Sequence, residues 1–160
     1  MRPMGRLWLV TGGAGLIGSS IGRALLARGD RVRVLDKFSS GRRENVQDLA
    51  GVELLGGDIL DDAALGAAVR GVSLIFHQAA ISSVPLSVAD PLSSNETNAT
   101  GTLKVPQAAR QPGPRRVVYA ASSVAYGDTP TLPKVETMAP APLPPIAVAQ
   151  PAVERSGQPL

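Results

Sequence analysis

Thr11, Gly12, Gly15 and Gly18 lie at the end of an apolar run, Leu7-Trp-Leu-Val10, and just ahead of a helical pattern. That spacing predicts a strand that turns tightly into a helix. At such a junction free backbone N–H groups and the positive end of the helix dipole converge on one place, which suits a pyrophosphate. Gly12 can take the tight turn, Gly15 lets the backbone approach the phosphates, and Gly18 lets the helix lie close to the strand. Asp36 closes the next apolar run, Arg31-Val-Arg-Val-Leu35, about twenty residues on. A carboxylate there can accept from both hydroxyls of an adenosine ribose and repels a 2′-phosphate. The expectation is a dinucleotide site that favours NAD over NADP. The alternative is a helix-packing glycine turn that binds nothing.

The elements that must carry these residues alternate. Strands are expected near 6–11, 31–35, 52–56, 72–76 and 115–120, and helices near 15–28, 42–49, 61–70, 92–110 and 145–155. This predicts an α/β fold, a Rossmann-type doubly wound parallel sheet covered on both faces. Right-handed crossovers line up the carboxyl ends of the strands along one edge, where dinucleotides bind. Pro130, Pro133, Pro140, Pro142, Pro144, Pro145 and Pro151 crowd the last part of the chain, which reads as loop. The expected division is a cofactor-binding domain over 1–127, followed over 128–160 by a proline-rich loop and the remnant of one helix.

Composition narrows the field. A chain of 160 residues holds one domain's worth of core. It has no cysteine and a single histidine, so a disulfide framework is excluded and a metal site is not expected. The net charge of +3 comes from scattered arginines, with 3% aromatic residues, which does not make a nucleic-acid surface. No apolar stretch is long enough to span a bilayer, and Met1-Arg-Pro-Met4 is too short for a secretion signal, so a cytoplasmic protein with no membrane partner is expected.

From Thr11 to Gly18 the chain resembles the extended short-chain dehydrogenase/reductase family, and most of all its nucleotide-sugar epimerases and dehydratases. Further segments resemble the family in order: Asp36-Lys-Phe-Ser-Ser-Gly-Arg-Arg-Glu-Asn45, Gly57-Asp-Ile59, His77-Gln-Ala-Ala80, Ser83-Val-Pro-Leu-Ser-Val-Ala-Asp-Pro91, Asn98-Ala-Thr-Gly-Thr-Leu103, Val117-Val-Tyr-Ala-Ala-Ser-Ser123 and Tyr126-Gly-Asp128. The resemblance runs from residue 7 to about 155 and is strongest to UDP-sugar 4-epimerases. It implies NAD as cofactor, held by Gly12, Gly15, Leu16, Ile17, Gly18, Asp36, Asp58, Ile59, Ala79 and Ala80. Asp58 and Ile59 would meet the adenine, and the alanine backbone the nicotinamide ribose. Asn98 would bond backbone around the active centre. For His77 packing against the sheet is at least as good a reading as chemistry, and Ser82 and Ser83 read equally well as loop serines.

The resemblance also implies a catalytic tyrosine, a lysine four residues later and a serine. Ser122 matches the serine. Where the tyrosine and lysine belong, the chain reads Pro142-Leu-Pro-Pro-Ile-Ala-Val-Ala-Gln150, with Ile146 and Gln150 at the two positions. Isoleucine has no proton to give, and glutamine cannot lower a phenol's pKa as a cation does. Neither Tyr119 nor Tyr126 has a lysine one helical turn later, and Lys134 falls in the loop. The expectation is therefore a catalytically silent relative. Family members continue for about as long again, so the chain reads as C-terminally truncated, without a substrate domain. The residues that would read a UDP-sugar lie mostly in that second half. Pro106 and Pro151 interrupt the two helices that pair in family dimers, which weakens pairing with a second copy or with an intact paralogue. The alternatives are an active UDP-sugar epimerase completed by another chain, or a non-enzymatic NAD-responsive interaction module.

Overall fold

In the computed structural model the described residues are 5–110, 114, 116–139 and 141. They divide into two compact units. The first is the chain up to Ala79 with Lys104–Ala120, and the second is Ala80–Leu103 with the chain from Ala121.

The first unit holds a five-stranded sheet: β1 (Leu7–Thr11), β2 (Arg31–Asp36), β3 (Val52–Gly56), β4 (Leu74–His77) and β5 (Val117–Tyr119), in the order β3-β2-β1-β4-β5. All four pairings are parallel, with Thr11 beside Leu35 on one side and His77 on the other. Central strand β1 is buried throughout, as a strand covered on both faces must be. Its residues alternate between two cores. Leu7 and Leu9 join Leu35, Leu65, Val69, Ile75 and Val105, while Trp8 and Val10 join Leu25, Val32, Val34 and Val46. Helix α1 (Leu16–Ala27) serves the second core, and α2 (Asp62–Val69) and α5 (Thr102–Ala108) the first. The doubly wound Rossmann-type sheet is as expected, with strand limits shifted by at most two residues.

Two helix expectations need correction. The segment 42–49 is not a helix; only a 3₁₀ turn forms at Arg43–Asn45. Its start is held by the Arg42 N–H and the Asn45 side chain, both donating to the Ala14 carbonyl, and Val46 is drawn into the core. So short a tethered stretch cannot offset the cost of helix nucleation. The expected helix at 92–110 is broken into α4 (Pro91–Asn95), a π-helical segment (Glu96–Gly101) and α5, and a short α3 (Val84–Ala89) precedes it. Ser83 caps α3 by accepting from Leu86 N–H at 3.3 Å, and Asp90 caps α4 by accepting from Ser93 N–H at 3.1 Å. Asp90 precedes Pro91, which disfavours helical backbone at that residue and separates the two helices. Pro106 does not interrupt its helix: α5 runs through it and ends at Ala108, with the proline exposed. Pro151 and the expected helix at 145–155 lie outside the described residues.

Arg33 fastens α2 to the sheet. It donates through Nη1 to the Ala68 and Arg70 carbonyls at 2.8 and 2.7 Å, and through Nε and Nη2 to Glu53 at 2.9 and 2.7 Å. A cation on the last carbonyls of a helix also complements its dipole. The Arg33 hydrogen bond holds the Glu53 carboxyl below its usual range, against a smaller opposing effect of burial. Arg33→Met, which keeps the aliphatic stem, is expected to cost about 1.5–3 kcal/mol in urea unfolding; a cost below about 0.5 kcal/mol would show that the fork is ornamental.

Candidate functional site

The glycines after β1 meet three different demands. Gly12 has a φ of +65°, and a Cβ there would lie 2.6 Å from the Ala79 nitrogen and 2.7 Å from its Cα. A Cβ on Gly18 would overlap the Gly12 carbonyl and lie 2.7 Å from Gly13 Cα, so the bare backbone is what seats α1 on the loop. Gly15 differs: among the described residues a Cβ there would have only the Gly12 oxygen near it, at 3.3 Å, and open space elsewhere. Gly13, unassigned from the sequence, is needed for packing, since a Cβ would lie 2.7 Å from a Val34 methyl.

Gly15 is the N-cap of α1 and offers no side-chain cap. The N–H groups of a helix's first turn have no partner within the helix. Leu16 and Ile17 in that turn are 83% and 63% exposed, although both are large and apolar. Among the described residues, an uncapped twelve-residue helix with a bare glycine in front of it and an exposed first turn is the kind of feature that can receive an anion.

Asp36, the last residue of β2, is buried beside this helix start. Its Oδ2 accepts from Ala14 N–H at 2.9 Å and its Oδ1 from Phe38 N–H at 2.7 Å. The Ala14 carbonyl in turn accepts from Arg42 N–H at 3.0 Å and Asn45 Nδ2 at 2.7 Å. The glycine loop and the 36–45 segment are therefore stitched together. Phe38 has a φ of +60°, and the Arg43 guanidinium lies over its ring, 4.3 Å from the centroid. The roles of Ala14 and Arg42 are not legible in the sequence, because backbone partners leave no residue-type signal.

Asp58 pairs with Lys37 Nζ at 2.9 Å and accepts from Leu60 N–H at 3.1 Å. Burial pushes its pKa up, but the Lys37 ammonium and backbone donors outweigh this and hold it below the usual carboxylate range. The Ile59 side chain is 3% exposed and packed in the core, so only its backbone is left for a ligand. Ala79 N–H donates to Thr11 Oγ1 at 3.4 Å, and that oxygen lies 2.6 Å from His77 Nδ1. Burial drives the His77 pKa down to about 4, so the imidazole is neutral near pH 7 and sits within the sheet as a packed residue.

The second unit opens with Ala80, which is exposed. Asn98, in the π-helical segment, accepts from Ile81 N–H at 2.8 Å and donates to the Ile81 carbonyl at 2.9 Å, the backbone-bonding role expected of it. Ser82 is exposed, and Ser83 caps α3. Ser122 caps the 3₁₀ turn Ser123–Tyr126, its hydroxyl accepting from Val124 N–H at 3.4 Å. Lys134 donates to the Thr129 carbonyl at 2.6 Å and to the Thr129 hydroxyl, which keeps it in its own loop. Ile146 and Gln150 lie outside the described residues. Among the described residues no cluster of metal-ligating side chains occurs, and no helix is long and apolar enough to cross a membrane.

The model of the NAD dependent epimerase/dehydratase family matches residues 8–156. UDP-glucose 4-epimerase of Klebsiella pneumoniae is 36% identical over 136 residues, 81% of this chain and 98% of that protein. UDP-glucose 4-epimerase of Mycolicibacterium smegmatis is 40% identical over 151 residues, 91% of this chain and 48% of that protein. The crystal structure of Thermus thermophilus UDP-glucose 4-epimerase in complex with NAD superposes with a TM-score of 0.87 at 40% identity, covering 94% of this chain and 49% of that one. The chain thus spans nearly all of the first relative and about half the length of the other two. With the family's fold, its glycine loop and the acidic end of β2 all in place, the chain belongs to the NAD dependent epimerase/dehydratase family.

Proposed function

We propose that this chain is the NAD-holding portion of a UDP-hexose 4-epimerase/dehydratase-like protein and is catalytically inactive as it stands. One observation carries the reading: the uncapped start of α1 faces a glycine, Gly15, with open space beyond it, and Asp36 is fixed beside it. Those residues fit a dinucleotide. The first-turn N–H groups of α1 take the pyrophosphate, Asp36 the adenosine ribose, Asp58 and the Ile59 backbone the adenine, and Ala79 and Ala80 the nicotinamide ribose. NAD, when bound, supplies a hydride acceptor and donor. The presence of NAD in the Thermus relative supports the choice of cofactor.

Residues 1–127 form the cofactor-binding part and 128–160 a proline-rich remnant. Ser122 is the residual catalytic position, able to hold a substrate hydroxyl but not to deprotonate it. With Ile146 and Gln150 in place of an acid/base and its cation, turnover falls by at least the 10²–10⁴ that a positioned acid/base typically provides. The protein works in the cytoplasm.

Thermal melting with and without NAD tests the reading. At a hundred times its Kd, NAD should add about 2.7 kcal/mol to stability and raise the midpoint by several degrees. Gly15→Asp is the informative control. Gly15 has an extended N-cap backbone (φ −74°, ψ 173°), and aspartate is a good N-cap, so the ligand-free midpoint should hold or rise. The carboxylate would occupy the anion's place, and the response to NAD should vanish. A wild-type midpoint indifferent to millimolar NAD would overturn the proposal.

A further inference from the structure

We propose that Gly41 sets the NAD-over-NADP preference of the site without touching the cofactor, because its missing side chain lets Asp36 stay on the Ala14 amide. The inference rests on the dinucleotide reading above and concerns a residue to which that reading gives no role. A Cβ on Gly41 would lie 2.9 Å from Asp36 Oδ2 and 3.0 Å from both the carbonyl carbon and the Cβ of Ala14. Its φ is not in the left-handed range, so the demand for glycine is one of space, not of backbone conformation.

What would give way decides the consequence. Ala14 is fully buried, and its backbone is held at both ends: the N–H by Asp36, the carbonyl by Arg42 and Asn45. The Asp36 carboxylate is the one group at the contact that can rotate on its own side-chain bonds. A methyl at position 41 therefore drives Oδ2 off the Ala14 N–H. A carboxylate offers about four acceptor sites. Ala14 and Phe38 use two and fix its orientation, leaving two for the two hydroxyls of an unmodified ribose. Oriented in this way, the charge also opposes a 2′-phosphate. Loosened, it does neither well.

Kd values for NAD and NADP, measured by calorimetry on the full chain, test this. Gly41→Ala should weaken NAD about tenfold, the loss of roughly one charge-assisted hydrogen bond. NADP should change far less, so the preference ratio falls. In an Asp36→Ala background Gly41→Ala should leave the ratio unchanged, since residues acting through one another are not additive. Equal losses for NAD and NADP, or a fall in ratio that persists without Asp36, would overturn the inference. If Gly41→Ala does not melt cooperatively, the comparison moves to an Ala14→Gly background. That background removes the Cβ–Cβ contact and keeps the one with Asp36, and an unchanged ratio there overturns the inference as well. Failure of the wild type to bind NAD removes the dinucleotide reading and this inference together. Binding with an unaltered ratio removes only this one.

Discussion

Gly12→Ala should lower the thermal midpoint by about 6–12 °C, the shift that about 3 kcal/mol produces in a domain of this size. Two independent terms act at this position. A non-glycine residue held at positive φ costs of order 1–3 kcal/mol, and Gly12 sits at +65°. Its new Cβ would also meet the Ala79 nitrogen at 2.6 Å, a backbone contact that no rotamer change relieves; such overpacking adds about 1–3 kcal/mol. Pushing Ala79 aside would strain its contact with Thr11, so the response to NAD should disappear with the stability. Gly66→Ala is the matched control. Gly66 lies inside α2 with no atom of the other described residues within 4 Å of a Cβ, and the same substitution there should stabilise by about 0.5–1 kcal/mol. Opposite signs for one chemical change would show that the cost at Gly12 comes from its turn. A Gly12→Ala midpoint within a degree or so of the parent would show that the turn can be made another way.

The second large effect follows from the one histidine. His77 titrates near its ordinary value of about 6.5 when unfolded, but burial lowers it to about 4 in the folded chain. Between those values the unfolded state binds a proton that the folded state does not, so stability rises with pH across the window. The His77 contribution is fully present above about pH 6.5, is lost progressively as pH falls, and is gone near pH 4. The total loss is about 3 kcal/mol, from 1.36 kcal/mol per pKa unit. Asp58 and Glu53 also have lowered values and act in the same direction, but only where carboxylates protonate, below His77's upper range. Urea unfolding at pH 7.5, 6.5, 5.5 and 4.5 on the wild type and His77→Gln isolates the term. The wild type should weaken steadily below pH 6.5, while the variant should be nearly flat down to about pH 5. The same slope in both proteins, or a His77 resonance titrating near 6.5 in the folded state, would refute it.

Local signals carried a good deal of this molecule. The alternation of Leu7 and Leu9 with Trp8 and Val10 is readable as a strand buried on both faces, and it is one. Gly12, Gly15 and Gly18 are readable as a strand-to-helix turn, because backbone sterics there act within a few residues. Ser83 and Asp90, each ahead of a proline, carried the capping signals for two short helices that periodicity alone merged or missed. The shortfall of 42–49 from a helix was not readable. What decides it is the tether to Ala14, a partner thirty residues away whose backbone oxygen has no residue-type signature.

Asp36 marks the border between the two kinds of information. Its type and its place at the end of the second strand, with the glycine spacing and the parallel α/β order, are determined by composition and period: a carboxylate, a strand that ends and a helix that begins. Which atoms that carboxylate holds is another matter. Ala14 and Phe38 claim it first, and the emptiness at Gly41 keeps it there. The burial that keeps His77 neutral is of the same kind. Such facts depend on which distant backbone arrives within 3 Å once the sheet is assembled. Chain-local rules cannot supply them, because hydrogen bonding and desolvation are set by separation in space and not by separation along the chain.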